Sequence, residues 1–309
     1  MLDLLLSTVG QGLQWSILAL GVFLSFRVLD AADLSVEGSF PLGAAVAATG
    51  IVAGLGITVS VLLAIVAGCC AGAVTGYLTT KLRIPVLLSG ILTMIGLYSV
   101  NLHVMGKANV GLLQETTLFT LFESFGLTVP QAGLVVGLLF AVVVGVIIYW
   151  FFGTEIGTAV RATGINAQMA RAQGINTDGM MVLGLVISNG LVALSGAIVA
   201  QNNGFADVGM GVGTIVIGLA SVIIGEVLCD AFFRKGCNFS VRLGFVVLGG
   251  IVYYLVMVLI LWLKLDPNDL KLFTALIVAL FLAVPYLQKQ SKSSFSRAKK
   301  RGQKEAIGQ

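Results

Sequence analysis

Ile57-Thr-Val-Ser-Val-Leu-Leu-Ala-Ile-Val-Ala-Gly-Cys-Cys-Ala-Gly-Ala-Val-Thr-Gly-Tyr-Leu78 runs for 22 residues without a charge. As a helix it would be roughly 33 Å long at 1.5 Å per residue, enough to cross a hydrocarbon core of about 30 Å. Gly68, Gly72 and Gly76 recur at every fourth position, so three side-chain-free positions share one helix face. That pattern predicts close approach of a second helix rather than a ligand site.

Working outward, similar apolar segments tile nearly the whole chain. Spans are predicted near Leu4 to Phe26, Phe40 to Val52, Ile57 to Leu78, Val86 to Met105, Ala132 to Phe152, Met180 to Ala200, Thr214 to Leu228, Leu243 to Leu263 and Leu270 to Leu287. The fold class that follows is all-α: a polytopic membrane helix bundle of about nine spans. Counts of eight or ten stay open, because the second and seventh spans are short. Composition agrees, with 58% hydrophobic and 10% charged residues and a mean hydropathy of +1.03, against about 25% charged in soluble domains.

The net charge of +4 is unevenly placed. From Lys289 onward there are seven basic residues and one acid, whereas the preceding 288 residues carry eleven basic and thirteen acidic side chains. The chain therefore divides into a membrane domain, 1–287, and a basic tail, 288–309. A basic tail behind the last apolar segment places the C-terminus in the cytoplasm, and nine spans then place the N-terminus outside. Fifteen Lys and Arg fall inside on this assignment, including Arg27, Arg83, Arg161 and Arg171, and three fall outside: Lys107, Lys264 and Lys271. An inside N-terminus would need one span more or fewer. With the positive excess confined to the tail, nucleic acid is excluded as a partner. Met1 begins no cationic leader and no small-residue cleavage site follows, so the first apolar segment is expected to stay. Cys69, Cys70, Cys229 and Cys237 show neither zinc spacing nor a disulfide framework and are read as small packing residues. No metal- or cofactor-binding pattern stands out.

Two stretches resist a smooth helical reading. Asp33-Leu-Ser-Val-Glu-Gly-Ser-Phe-Pro41 precedes the second span, and Asp207-Val-Gly-Met-Gly-Val-Gly-Thr214 precedes the seventh. Each begins with Asp, alternates apolar and small residues, and enters a helix rich in Gly and Ala. Five spans apart, they point in opposite directions, as an inverted repeat requires, and paired interruptions of this kind mark a transporter's central site. Ordinary loop composition is the alternative.

The longest interruption is Gly153-Thr-Glu-Ile-Gly-Thr-Ala-Val-Arg-Ala-Thr-Gly-Ile-Asn-Ala-Gln-Met-Ala-Arg-Ala-Gln-Gly-Ile-Asn-Thr-Asp178. Thr154 is placed to N-cap a first short helix ended by Gly164, and Asn166 a second, Ala167 to Gln173, closed by Gly174. The second, carrying Met169 and Arg171, has a small-residue face suited to a groove on a partner protein. Lying at the lipid headgroups is its other reading.

At this loop the chain resembles a family. Arg161-Ala-Thr-Gly164, Asn166 and Met169-Ala-Arg-Ala-Gln-Gly-Ile-Asn176 are similar to the cytoplasmic coupling loop of ABC importer permeases of the branched-chain amino acid, ribose and nucleoside type. Asp33 to Phe40, Gly90-Ile-Leu-Thr-Met94, Asn101 to Asn109, Gln201 with Gly204-Phe-Ala-Asp207, and Gly218 to Glu226 fit the same family, which covers the chain to about Pro285. A branch linked to aromatic amino acid uptake looks nearest. Ile165, Ala167 and His103 depart from that branch, where an acid, a proline and an arginine are expected.

The resemblance implies a bacterial plasma-membrane subunit that passes a small solute, an amino acid, and couples to separate ATP-binding cassette ATPase subunits. It also implies an extracytoplasmic solute-binding protein and a second permease subunit, identical or not. Membrane lipid surrounds the assembly. The chain itself is not expected to be an enzyme: it has no Gly-x-x-x-x-Gly-Lys-Ser/Thr loop, and Gly106-Lys107-Ala108 lacks both the upstream glycine and the hydroxyl residue. Arg161, Gly164, Asn166, Met169, Arg171 and Gly174 form the expected ATPase-coupling loop.

Polar residues within spans are few and expensive. Asp33, Glu37, Asn101, Asn189, Gln201 and Asp207 are the candidates for a translocation path or gate. Asn189 is also read as an interhelical hydrogen-bonding residue, Glu226 as paired with Arg234 or solvated, and His103 as structural. An ion-coupled secondary transporter is the alternative function; it explains the acids but gives the long loop no task. An intramembrane hydrolase lacks a convergent catalytic set.

Overall fold

The computed structural model describes residues 2–233 and 238–262, together with 272, 275, 276 and 279. The expected ninth span, the basic tail, and Arg234 and Lys235 thus lie outside the described residues but for those isolated positions. Helix α1 (Leu2–Phe23) continues into a π-helical turn (Leu24–Val28); α2 (Val36–Val52), α3 (Ile57–Thr80), α4 (Val86–Met105) and α6 (Val129–Phe152) follow, with a short α5 (Leu118–Glu123) between the last two. Then come α7 (Glu155–Ile165), α8 (Ala167–Ala172), α9 (Thr177–Asn203), a 3-10 turn (Val208–Gly211), α10 (Thr214–Phe232) and α11 (Phe239–Trp262). Strands β1 (Asn109–Gly111) and β2 (Phe205–Asp207) pair antiparallel.

Among the described residues seven helices are long and apolar enough to cross a membrane, which makes this a multi-pass membrane protein. Helix α2 is the exception at 17 residues; it would reach about 26 Å, short of a full hydrocarbon core. It starts four residues before the expected Phe40, because Ser35 and Asp33 end the preceding turn, and it tolerates Pro41 inside.

Helices α1 and α9 form the centre. About three quarters of their apolar windows are buried, 78% and 72%, against 22–33% for α3, α4, α6 and α11, so the latter leave one apolar side exposed through residues such as Leu62, Val66, Val142 and Val146. The contacts with α9 are made by missing side chains. A Cβ on Gly72 would lie 2.4 Å from the Leu185 carbonyl oxygen, and one on Gly68 2.6 Å from that of Asn189, so the every-fourth-residue glycine face of α3 packs helix on helix as expected.

The packed pairs α1 with α9 and α10 with α11 run antiparallel. Gln14 and Gly21 on α1 meet Ser195 and Ser188 on α9 in reversed order, and Ser221 and Gly225 on α10 meet Gly249 and Phe245 on α11 likewise. One face of the bundle therefore gathers α7 and α8. The opposite face carries the β1–β2 ribbon, which the apolar pattern did not predict. Leu112 N–H bonds the Gly204 carbonyl at 2.7 Å, tying the α4–α6 connection to the α9–α10 connection. Cys69 and Cys70 are free thiols, and Cys237 lies outside the described residues.

Candidate functional site

The six polar path candidates fall into three places. Asp33 and Asn189 meet in the interior, where α2 begins against the middle of α9. Asp33 is 2% exposed and Asn189 fully buried. Asn189 Nδ2 donates to Asp33 Oδ2 at 2.8 Å, Ser35 N–H donates to Asp33 Oδ1 at 2.9 Å, and the Ser35 and Ser39 hydroxyls donate to Asn189 Oδ1 at 3.0 and 2.6 Å. Every oxygen of the carboxylate and the amide is thus bonded, which is what keeps an acid tolerable there. Ser35 and Ser39 were missed as members of this cluster; their i, i+4 spacing on a helix start was the available signal.

Glu37 and Asn101 come together at a cavity of about 420 Å³ between α2, α4 and the 3-10 turn, also lined by Met94, Tyr98 and Val212. Glu37 Oε1 accepts from Gly213 N–H at 3.1 Å, so the two interrupted stretches touch. Gly211 permits this contact, since its Cβ would lie 2.0 Å from the Glu37 carbonyl oxygen. Asn101 is fully buried; its Nδ2 donates to the Gly38 carbonyl at 3.3 Å, and its Oδ1 has no partner among the described residues.

Gln201 and Asp207 belong to the ribbon face. Gln201 Oε1 accepts from Leu118 N–H at 3.0 Å, and Asp207 Oδ1 accepts from Gly209 N–H at 2.7 Å, opening the 3-10 turn. His103 sits at the end of α4, with Nδ1 2.8 Å from the Ser99 carbonyl oxygen.

On the other face, the loop has the expected caps with one change. Thr154 Oγ1 accepts from Gly157 N–H at 3.2 Å, and Asn166 Oδ1 from Met169 N–H at 3.0 Å. Gly174, at φ +82°, closes α8, with Ile175 N–H reaching the Ala170 carbonyl at 3.1 Å. Gly164, however, does not end α7, which runs on to Ile165. It is instead a contact point: a Cβ there would lie 1.8 Å from the Val28 carbonyl oxygen, so α7 lies directly on the turn after α1. Helix α8 is exposed except at Ala170, with Met169 55% exposed.

Arg171 Nη2 donates to Thr177 Oγ1 at 2.8 Å and lies 3.6 Å from Asp178, which Arg83 also contacts at 3.0 Å. This three-residue link joins α8 and the start of α9 to the α3–α4 turn. Sequence reasoning missed Asp178, although an acid in the first turn of a helix was visible. Arg161 stands apart from α8, its guanidinium 4.8 Å from the centre of the Phe239 ring. Glu226 pairs with Arg27, whose Nε donates to Oε1 at 2.7 Å. The expected partner Arg234 lies outside the described residues, and Arg27 was overlooked because 199 positions separate the pair in sequence.

The family described as the branched-chain amino acid transport system permease component matches residues 4–285. A tyrosine transport system permease protein of Clostridioides difficile is 40% identical over 279 residues, covering 90% of either chain. An uncharacterized protein of Rickettsia prowazekii is 34% identical over 284 residues, 91% of this chain and 98% of that one. An autoinducer 2 import system permease protein of Photorhabdus laumondii is 29% identical over 197 residues, 63% of this chain and 57% of its own length. No solved structure matches. A family match that takes in nearly every described helix, joined to a multi-pass apolar bundle, makes this chain a member of the branched-chain amino acid transport permease family, the membrane subunits of ABC transporters, which are not themselves enzymes.

Proposed function

We propose that this chain carries a small solute, an amino acid, across a bacterial plasma membrane, driven by ATP hydrolysis in separate ATP-binding cassette subunits that dock on α7 and α8. The observation that carries the reading is α8: capped at both ends, exposed along nearly its whole surface, and linked through Arg171 and Asp178 to Arg83. A short helix held this way transmits a push from a docked subunit to α9 and to the α3–α4 turn, because its ends are fixed to the bundle. Arg161, Gly164, Asn166, Met169, Arg171 and Gly174 form the coupling loop: Met169 and Arg171 offer side chains, Asn166 and Gly174 cap, Gly164 seats α7, and Arg161 braces it on Phe239.

The α7–α8 face is then cytoplasmic, with the tail, and the ribbon face receives solute from an extracytoplasmic binding protein. Nine spans complete the topology, the last being Leu270 to Leu287. The stretches before α2 and α10 are the corresponding members of an inverted repeat, a reading supported by their meeting at Glu37 and Gly213. Glu37 and Asn101 line the solute's path, Asp33 and Asn189 hold the start of α2 as its gate, and Gln201 and Asp207 set the outer rim. A second permease subunit, identical or not, completes the assembly. The likeness to a tyrosine transport permease supports an aromatic amino acid as solute.

Reconstitution in liposomes with the ATPase and the binding protein tests this. Solute-stimulated ATP hydrolysis and ATP-dependent uptake are expected. Uptake driven by an ion gradient without the ATPase would instead establish an ion-coupled secondary transporter. Arg171→Glu and Met169→Asp, both on exposed side chains, are expected to lower uptake by at least tenfold, a loss of about 1.4 kcal/mol of coupling, with melting temperature unchanged; wild-type ATPase binding and uptake in both would sink the docking role. Glu37→Gln, which keeps the acceptor to Gly213 but removes the charge, is expected to reduce uptake while leaving ATPase binding intact. Unchanged uptake would remove Glu37 from the path.

A further inference from the structure

Three cavities on the α7–α8 side of the bundle join end to end; of their walls the coupling role uses only Arg161, and the path role uses nothing. The first, about 410 Å³, is walled by Arg27, Arg161, Glu226, Asp230, Phe239 and Arg242. Arg27 and Glu226 neutralise each other. Among the described residues neither Arg161 nor Arg242 has a carboxylate within ion-pair distance, so two guanidiniums face one remaining acid, Asp230. The wall carries a surplus of one positive charge.

Arg161 and Phe239 also line a second cavity of about 370 Å³, together with Tyr149 and Trp150. Trp150 is 70% exposed and Tyr149 57%, as expected of aromatic side chains at the headgroup level of a bilayer. Tyr149 in turn opens the third, an apolar groove of about 460 Å³ between Leu138, Val142 and Gly145 on α6 and Gly244, Val247 and Ile251 on α11. A Cβ on Gly145 or on Gly244 would meet nothing within 4 Å, so the groove is open between its two walls. From Tyr149 to Leu138 it follows α6 for roughly 16 Å, the depth of one leaflet of a hydrocarbon core about 30 Å thick.

We infer that the protein holds one anionic phospholipid, with its phosphodiester at Arg161 and Arg242 and an acyl chain in the groove between α6 and α11. The charge surplus selects a monoanionic phosphodiester over a zwitterionic one. Arginine suits it because the guanidinium fork bonds phosphate oxygens bidentately. Asp230 is placed to accept from a hydroxyl on the headgroup, which favours a glycerol-type head over a bare phosphate. The apolar groove and the aromatic pair at its mouth require a lipid rather than free phosphate. The inference needs only the membrane-spanning bundle and is independent of how the permease is energised.

The test uses the full chain with Trp15→Phe and Trp262→Phe, which leaves Trp150 as its single tryptophan. It is reconstituted in phosphatidylcholine vesicles doped with chain-brominated phosphatidylglycerol or with chain-brominated phosphatidylcholine. Quenching of Trp150 is expected to show about tenfold tighter association of the phosphatidylglycerol. In Arg161→Gln/Arg242→Gln that preference is expected to fall to near one, and Gly244→Leu, which fills open space, is expected to reduce quenching by both lipids. Helical circular dichroism shows whether each variant is folded. Equal quenching by the two lipids in the parent chain would overturn the proposal, as would an unchanged preference in the double arginine variant. Absence of quenching by either lipid would also overturn it, by showing that protein, a further span or a second subunit, fills the groove. Free inorganic phosphate that abolishes the preference at millimolar concentration would assign the arginines to a soluble anion instead.

Discussion

Gly43→Val is expected to lower the stability of the bundle by about 3 kcal/mol, the upper end of the usual range for overpacking. A Cβ at Gly43 would lie 1.9 Å from the Ala193 carbonyl oxygen and 2.5 Å from its carbon. These are backbone atoms of α9, which no rotamer change can move aside. Nor can α9 retreat freely, since α3 also packs closely on it: a Cβ on Gly72 would lie 2.4 Å from the Leu185 carbonyl oxygen. Helix α2 has to lift from α9, which also pulls Ser35 and Ser39 off Asn189. For a chain of this size the loss corresponds to roughly 5–10 °C in melting temperature, readable from the monodisperse peak remaining after heating in detergent. Gly96→Ala and Gly145→Ala, where a Cβ would meet nothing within 4 Å, serve as controls and should lie within about 1 °C of the parent. A Gly43→Val protein as stable as those controls would refute the close approach of α2 and α9.

The second large effect is expected at Asp33. Asp33→Ala removes the acceptor for Ser35 N–H and one of two acceptors for Asn189 Nδ2, deep between helices where water cannot substitute. Each unsatisfied group costs about 1–3 kcal/mol, so a loss of about 3 kcal/mol is expected. Asp33→Asn has the same shape but turns one acceptor into a donor, placing it against Ser35 N–H or against Asn189 Nδ2. Asn189→Asp alone sets two carboxylates face to face. The double exchange, Asp33→Asn with Asn189→Asp, restores a donor opposite an acceptor and keeps acceptors for both serine hydroxyls; only the Leu185 carbonyl loses a donor, and it keeps its helical one. Most of the stability lost in either single variant should return in the double. If the two single effects simply add, the pair is not coupled and the α2 start is held by something else.

The local features of this molecule were legible in its sequence. Val86 to Met105 spans the same residues in structure as in the apolar pattern; the caps at Thr154 and Asn166 follow from side chains that bond the backbone three residues away, and the one at Gly174 from a glycine free to take φ +82°. Features depending on distant partners were not. Gly164 reads as a helix terminator in isolation because glycine usually ends helices, yet it is a contact with Val28, a residue 136 positions earlier. Six polar residues were grouped as one path because sequence carries no depth coordinate; the bundle separates them into a buried clamp, a cavity wall and the ribbon face. The ribbon escaped notice because strands of three residues leave no periodicity to read.

Sequence by itself determined that this is a membrane bundle, where its long helices lie and how its coupling-type loop is capped, because length, hydropathy and capping are local properties of the chain. Tertiary structure alone decided which polar groups meet: Asp33 with Asn189, Glu37 with Gly213, and Arg27 with Glu226. The reason is that a buried polar group must find its partner wherever the packing of glycine faces brings another helix close, and that distance is set by the fold and not by spacing along the chain.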